Sequence, residues 1–299
     1  MPLRIAIVGP GRVGGAFARR LARASASVLG FVGRDAERAE RAAASVGVGV
    51  ALGWADLKRA DCVVFAVGDE QLPGAVAAAV APGEERSGLW VHTSGRHDLK
   101  VLAPARSLGV QVGSLHPLAP FPGSVDVEPV AGTPALVQCA PESVAQLREL
   151  CRMMQFEPIV CERQNRGLYH AACALAANGA TVLFGLAAEL LGRAGGLSEA
   201  EAGRVVESLM RAAVLGAQRH GAGAALSGPV RRGDDATIGL HLRELGEHAP
   251  HVTPAYRALM TRAISLAADE GLAPADRLRL ERLLGEVAGD DQPGQGSCG

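Results

Sequence analysis

The chain has 299 residues, of which 48% are hydrophobic and 20% are charged. This composition is typical of a folded, core-forming protein and excludes intrinsic disorder for most of the chain. Thirty basic residues are balanced by 31 acidic ones, so no charge excess attracts a nucleic acid or an anionic membrane. The length favours two domains over one.

The first 160 residues alternate short Val/Ile/Leu-rich runs with Ala/Arg/Glu-rich helical stretches. Continuous hydrophobicity marks strands covered on both faces, and helical connections make neighbouring strands parallel. The pattern predicts an α/β domain over 1–160 with a doubly wound, mostly parallel sheet. The predicted strands are 3–8, 28–32, 62–67, 89–92, 110–115, 135–138 and 156–160.

From residue 161 the pattern is helical, which predicts a separate all-α C-terminal domain over 161–287. Its longest apolar stretch, 171–191, carries several polar residues and is interpreted as a buried core helix. Residues 288–299 are polar and glycine-rich and are predicted to be a disordered tail.

The six cysteines show neither a C-x-x-C pair nor a metal-ligand spacing with histidine, so we expect reduced thiols and no metal site. The amino terminus leads directly into a predicted strand, without the charged and apolar regions of an export signal. Together these features predict a cytoplasmic protein.

Gly9, Gly11 and Gly14 form a G-x-G-x-x-G pattern between a predicted strand and a predicted helix. In a dinucleotide-binding turn the first glycine permits the tight turn, the second lets the pyrophosphate approach, and the third lets helix and strand pack. Arg12 and Val13 lie in the same turn, at a helix N-terminus whose amide groups attract phosphate. The pattern therefore predicts a dinucleotide site.

Arg34 follows the second predicted strand, where enzymes that use NAD usually carry an acidic residue for the ribose 2′-hydroxyl. A guanidinium suits the 2′-phosphate of NADP instead. Asp35 is adjacent, but its position fits the N-cap of the next helix. The sequence favours NADP, with a solvated surface charge as the alternative for Arg34.

Val67 and Gly68 follow a third predicted strand, and Ser94 follows a fourth. Ligands of open parallel sheets bind beyond the carboxyl ends of the strands, where small residues leave room for the nicotinamide ribose and ring. Residues that merely end a strand and begin a turn explain these positions equally well.

His116 ends a further strand, and Pro117 restricts its backbone to the extended region. An imidazole can give or take the proton that accompanies hydride transfer to a C=O or C=N group. We therefore expect His116 to be the acid or base, with a structural role as the alternative.

His170 and Asn178 fall on one face of a regular helix, because each residue turns the chain by about 100°. Polar groups on an apolar helix either meet a substrate in a cleft or satisfy one another in the interior. Asn178 is predicted to face the site, and His170 is a second candidate.

Arg231, Asp234 and Thr237 lie in a segment that reads as a turn followed by a helix start. Arg231 or Arg232 would pair with a substrate carboxylate. Asp234 would cap the helix, with Thr237 in its first turn. A solvated loop before a capped helix explains the same pattern.

Together these motifs resemble a bacterial Rossmann-like family whose C-terminal helical domain is of unknown function. The resemblance places the chain in the 6-phosphogluconate-dehydrogenase-like superfamily, alongside ketopantoate reductase, pyrroline-5-carboxylate reductase and prephenate dehydrogenase. It implies a Rossmann sheet, NADP-dependent reduction of a small carbonyl or imine, and a helical domain that forms a homodimer and helps to close the cleft.

Two comparisons within that superfamily refine the expected mechanism. Ala174 stands where related reductases usually carry a catalytic lysine, four residues before Asn178. The His116-Pro117 pair resembles that of prephenate dehydrogenases, which favours His116 over His170. We expect ketopantoate-reductase-like hydride transfer, with Ser94 and Asn178 orienting the substrate and Arg231 binding its acid group. The alternatives are prephenate-dehydrogenase-like oxidation of a hydroxy acid and a non-catalytic NADP(H)-binding regulatory protein.

Overall fold

The computed structural model describes residues 2–81, 83, 87–121, 129–161 and 165–285. The chain divides into two compact units, 1–178 and 179–299. The boundary therefore falls after residue 178 and not after 160, because Arg166 and Tyr169 make hydrogen bonds to the sheet of the first unit. The predicted disordered tail, 288–299, lies outside the described residues.

The first unit is built on an eight-stranded sheet with the strand order β3-β2-β1-β4-β5-β6-β7-β8. Neighbouring strands are parallel except for β6 and β7, which are antiparallel. The predicted doubly wound, mostly parallel sheet is confirmed. The strands are β1 (Arg4–Val8), β2 (Ser27–Val32), β3 (Val50–Leu52), β4 (Cys62–Phe65), β5 (Leu89–His92), β6 (Gln111–Pro117), β7 (Thr133–Cys139) and β8 (Phe156–Val160).

Both faces of this sheet are buried, which explains the unbroken hydrophobicity of its strands. Ile5 and Ile7 of β1 pack in one core cluster, whereas Ala6 and Val8 pack in another. The second cluster holds Trp90, whose ring centroid lies 5.4 Å from that of Phe65. The covering helices are α1 (Arg12–Arg23), α2 (Ala36–Val46), α3 (Leu72–Val80), α4 (Ala103–Arg106), α5 (Val144–Met153) and α6 (Arg166–Ala174).

Strand β3 was not predicted, because its hydrophobic run is only three residues long. It pairs with the end of β2, and this pairing depends on Gly30. Gly30 has a φ of +149°, and a Cβ on it would lie 1.9 Å from the carbonyl oxygen of Val50. A side chain at this position would therefore prevent the edge strand from pairing.

The second unit is helical in all the residues that the structure describes, so the predicted change of fold class is confirmed. Ser198 and Glu201 form a capping box that starts α8. Ile238, Ile264 and Leu280 are fully buried at the centre of the core. The helices are α7 (Ala180–Gly195), α8 (Glu199–His220), α9 (Ala222–Ala225), α10 (Pro229–Arg232), α11 (Asp235–His248), α12 (Thr253–Asp269) and α13 (Pro274–Gly285).

Helices α6 and α7 are joined by a π-helical segment, Leu175–Gly179, into one helix of 30 residues, Arg166–Gly195. By length and composition alone this helix could cross a membrane, since its apolar window has a mean hydropathy of 1.7. None of that window is buried, so the prediction of a buried core helix is wrong for the single chain. The wider π turn also breaks the regular spacing on which the shared face of His170 and Asn178 depended.

Candidate active site

The glycine turn lies between the carboxyl ends of β1 and β4, where the strand order reverses and open α/β sheets bind ligands. Gly9 has a φ of +111°, and a Cβ on it would lie 2.4 Å from the carbonyl oxygen of Ala66. The same added Cβ of Gly9 would lie 2.8 Å from Cγ1 of Val67, so Val67 and the following Gly68 flank the turn. A Cβ on Gly14 would lie 2.2 Å from the carbonyl oxygen of Gly9. Packing within the protein therefore requires both Gly9 and Gly14.

Gly11 differs from the other two glycines, because a Cβ on it would meet no atom within 4 Å. Its φ of −105° is accessible to any residue. Gly11 is also the N-cap of α1, where it offers no side chain to the amide groups of the first turn. The space beside Gly11 and these amides remains open to an anionic ligand, with Arg12 exposed and Val13 partly buried in the same turn.

Arg34 is exposed at the end of β2, on the same edge of the sheet. The adjacent Asp35 caps α2, since its Oδ1 accepts hydrogen bonds from the backbone amides of Glu37 at 3.0 Å and Arg38 at 3.4 Å. The prediction that Asp35 is an N-cap is therefore confirmed. The carboxylate has a structural use, whereas the guanidinium of Arg34 is available to a ligand.

Ser94 joins the loop after β5 to the loop after β4. Its hydroxyl donates to Oδ1 of Asp69 at 2.6 Å and accepts from the backbone amides of Arg96 at 3.1 Å and His97 at 3.0 Å. A hydroxyl has one proton and two lone pairs, so its hydrogen-bonding capacity is filled. Orientation of a substrate by Ser94 needs one of these bonds to open.

His116 ends β6 and is half-buried, and its Nδ1 lies 2.5 Å from the hydroxyl oxygen of Tyr169 on α6. The two rings meet edge to face at 81°. Burial lowers the pKa of His116 to about 4, and the charges of Arg166 and His170 act in the same direction. Burial raises the pKa of Tyr169. Both groups are therefore neutral at pH 7.

Gly95 brings the two predicted histidines together. A Cβ on Gly95 would lie 2.9 Å from Cε1 and Nε2 of His116, and also 2.9 Å from Nδ1 of His170. His170 is exposed, whereas His116 is partly covered. The missing side chain of Gly95 therefore leaves a notch that the Nε2 edge of His116 and Nδ1 of His170 fill, and we call this feature the Gly95 notch.

A buried cation lies beside this pair. The side chain of Arg166 is 7% exposed, and its Nη2 donates to Oγ of Ser114 at 2.6 Å and to Oε1 of Gln138 at 2.9 Å. Among the described residues, its Nε and Nη1 have no hydrogen-bond partner. Its guanidinium carbon lies 5.9 Å from the centre of the Tyr169 ring. The positive charge disfavours a second positive charge on His116.

Sequence reasoning missed four of these residues, namely Asp69, Gly95, Arg166 and Tyr169. One available signal was the spacing of Arg166 and Tyr169, three residues apart on one helix and hence neighbours. The pairing of Tyr169 with His116 spans 53 positions in the sequence, and no local pattern shows such a contact.

The remaining predicted residues lie in the long helix and near the start of α11. Asn178 lies in the π segment and is exposed. Arg231 donates through Nη2 to the carbonyl oxygen of Glu270 at 3.0 Å. Asp234 caps α11 as predicted, accepting from the backbone amide of Thr237 at 3.0 Å and from its hydroxyl at 2.7 Å. These contacts hold the start of α11 in a fixed conformation.

A glycine turn on a doubly wound sheet, followed by a helical unit, defines a Rossmann-type protein of two units. Residues 1–117 match the family described as Rossmann-like domain, and residues 133–263 match the family described as Domain of unknown function (DUF2520). The two matches follow one another along the chain, and the resemblance noted from its motifs is confirmed. No curated protein matches it.

Solved structures share this fold. A candidate NADP oxidoreductase from Bacteroides fragilis has a TM-score of 0.71 and 22% identity, over 88% of this chain and 98% of its own. An imine reductase from Myxococcus stipitatus in complex with NADP+ has a TM-score of 0.65 and 14% identity, over 94% and 99%. A pyrroline-5-carboxylate reductase from Coxiella burnetii has a TM-score of 0.55 and 13% identity, over 93% and 97%.

Proposed function

We propose that the protein is an NADP-dependent oxidoreductase that reduces a small carbonyl or imine acid, in a ketopantoate-reductase-like reaction. The observation that carries this proposal is the open space at Gly11, where the fold needs no glycine but a pyrophosphate does. The fold is shared with the candidate NADP oxidoreductase and with reductases of imines and pyrroline-5-carboxylate, which supports the same class of reaction.

The residues at the carboxyl edge of the sheet fit a dinucleotide phosphate. The open amides of the first turn of α1 would bind the pyrophosphate, and the exposed Arg34 would bind the 2′-phosphate. NADPH, when bound, supplies the hydride. The residues proposed to hold it are Gly9, Gly11, Arg12, Val13, Gly14, Arg34, Val67 and Gly68.

His116 is proposed to supply the proton that the substrate's oxygen or nitrogen needs when the neighbouring carbon is reduced. Its ring is half-buried, and a small substrate is proposed to reach Nε2 from the uncovered side of the ring. His170 lies on the other side of Gly95 and, being exposed, can exchange protons with water. Asn178 and Ser94 are proposed to orient the polar atom of the substrate, Ser94 only after one of its bonds has opened.

Arg231 is proposed to bind the acid group of the substrate, supported by Asp234 and Thr237. The bond to Glu270 uses one of the five N–H donors of the guanidinium and fixes its orientation. The remaining donors can pair with a carboxylate, and the capped start of α11 keeps the adjacent backbone rigid.

A second copy of the chain is proposed to cover the exposed apolar surface of α7 and α8, giving a cytoplasmic homodimer. Val182, Leu209 and Val214 are 60%, 65% and 63% exposed in the single chain. Large apolar side chains mark an interface where they form a contiguous patch on the surface. Five cysteines in the described residues are free thiols, which suits a reducing compartment.

The test combines nucleotide binding with turnover. Calorimetry should detect tighter binding of NADPH than of NADH, and NADPH should be oxidised with at least one member of a panel of keto acids and cyclic imines. Tight NADPH binding without turnover on a broad panel would favour the regulatory protein. If neither NADPH nor NADH bound, both the enzyme and the regulatory protein would be contradicted.

A further inference from the structure

The chain has two tyrosines, and each is hydrogen-bonded to Nδ1 of a histidine. The hydroxyl oxygen of Tyr169 lies 2.5 Å from Nδ1 of His116, and that of Tyr256 lies 2.7 Å from Nδ1 of His241. Both pairs meet edge to face. The first pair lies at the proposed site and the second lies between α11 and α12, so the second is a matched control for the first.

The direction of the Tyr169 hydrogen bond follows from acidity. A phenol is an acid with an ordinary pKa of about 10, and an imidazole nitrogen is a base whose conjugate acid has an ordinary pKa of about 6.5. The phenol is therefore the better donor and the nitrogen the better acceptor. Burial raises the pKa of Tyr169 and Cys173 raises it further, which favours the protonated phenol. A thiol is only a weak acceptor, so the imidazole nitrogen is the better acceptor for the phenol proton.

The groups around His116 keep its ring neutral. Burial disfavours the imidazolium, Arg166 and His170 on α6 act in the same direction, and Asp69, after β4, acts in the opposite direction. A neutral imidazole carries one N–H and one acceptor nitrogen. If Nδ1 accepts from Tyr169, the proton of His116 must be on Nε2, which is the nitrogen at the Gly95 notch.

We propose that Tyr169 is the positioning residue of this site: it donates to Nδ1 of His116, fixes the His116 proton on Nε2, and passes its own proton to Nδ1 when Nε2 gives its proton away. This inference rests on the proposed function and assigns a role to a residue that does not touch the substrate.

The proton movements balance. When the substrate carbon is reduced, its oxygen or nitrogen takes the Nε2 proton of His116; NADPH, when bound, would supply the hydride. The phenol proton of Tyr169 moves to Nδ1, so His116 remains neutral and no imidazolate forms. Tyr169 is left as a transient phenolate, which burial disfavours and the nearby guanidinium of Arg166 favours, until a proton from water restores the phenol. The proposed proton transfer thus gives the buried guanidinium of Arg166 a role.

The test reads the proton positions directly. Long-range 1H–15N spectra of the full chain at pH 7 distinguish the two neutral forms of each histidine, with His116 assigned from a His116→Asn variant. The wild type should show His116 protonated on Nε2 alone. Tyr169→Phe should show both forms of His116, whereas Tyr256→Phe should alter the signals of His241 and leave those of His116 unchanged.

Turnover gives a second readout. Tyr169→Phe should lower kcat by about 10- to 100-fold, as loss of a proton donor does, with NADPH binding unchanged. A wild-type His116 that carries its proton on Nδ1 would overturn the inference, as would an unaltered His116 spectrum in Tyr169→Phe. The spectra need no substrate, so failure of the proposed function would appear separately, as absence of turnover in every variant.

Discussion

The α-carbon of Gly95 lies so close to the ring of His116 that one added methyl group would sit 2.9 Å from Nε2. The same methyl group would lie 2.9 Å from Nδ1 of His170. Two imidazoles on different elements, β6 and α6, thus approach one residue that has no side chain. The missing side chain at position 95 determines how close the two rings come to each other.

We expect Gly95→Ala to displace at least one of these rings and to lower turnover by about 10-fold or more, because small misplacements of reacting groups cost rate steeply. Steady-state kinetics and a thermal unfolding curve measure the two effects separately. The control is Gly74→Ala on α3, where a Cβ meets nothing within 4 Å. Equal kinetics in the two variants would remove the Gly95 notch from the mechanism.

Substitutions at two glycines of the turn should have different effects, one on NADPH binding and one on stability. Gly11→Ala should fold normally, since its Cβ meets no protein atom, but should weaken NADPH binding about 10-fold or more by occupying the space of the pyrophosphate. Gly14→Ala should lose stability, because its Cβ would lie 2.2 Å from the carbonyl oxygen of Gly9. Calorimetric titration and thermal unfolding distinguish them, and NADPH affinity unaffected by Gly11→Ala would argue against a pyrophosphate at this turn.

Arg34 determines the preference between the two nucleotides if it binds the 2′-phosphate. Arg34→Ala should weaken NADPH binding by about 10-fold or more and leave NADH binding nearly unchanged, because only NADPH carries the phosphate. Arg41→Ala is the control, since Arg41 is exposed on the following helix and pairs with Glu37. If Arg34→Ala weakened the binding of NADPH and of NADH by the same factor, the effect would be one of general charge.

Stability should fall in mild acid because two histidines are buried as neutral rings. Burial, reinforced by Arg166, lowers the pKa of His92 to about 3 and that of His116 to about 4. The unfolded chain takes up these protons below pH 6.5, whereas the folded chain does not until about pH 4, so the free energy of unfolding decreases between those values. The limit is about 1.4 kcal/mol per pH unit for each histidine. Urea unfolding at pH 7 and pH 5 measures the decrease in the free energy of unfolding. His92→Leu should make the difference between the two pH values smaller.

The proposed dimer predicts that a charge on the apolar surface separates the subunits. Leu209→Arg on α8 should give a monomer by light scattering after gel filtration, because a buried guanidinium without a partner opposes association. Val130→Arg is the control, since Val130 is 79% exposed and lies on the first unit. A wild-type monomer at micromolar concentration would contradict the dimer, and a requirement for detergent would point to a membrane.

The sheet could be predicted because its two buried faces leave an unbroken hydrophobic signal in each main strand. Strand β3 escaped prediction because it has three residues and depends on the missing side chain of Gly30. The exposed helix Arg166–Gly195 was misjudged because hydrophobicity alone does not show whether the chain itself buries an apolar helix.

The site was predictable only in part. The glycine turn, the cap at Asp35 and the position of His116 follow from local patterns. The bond from Tyr169 to His116 joins a helix to a strand 53 positions away, and the filled hydroxyl of Ser94 depends on a carboxylate 25 positions away. Such contacts depend on how the elements pack, which a sequence pattern does not specify.

Both tryptophans of the chain, Trp54 and Trp90, belong to the first unit, and Trp90 is almost fully buried against Phe65. Tryptophan fluorescence, excited selectively, therefore reports on the first unit alone. Far-ultraviolet circular dichroism reports on the helices of both units. A denaturation series followed by the two signals measures whether the sheet and the helical unit melt together or in separate steps, without any label or truncation.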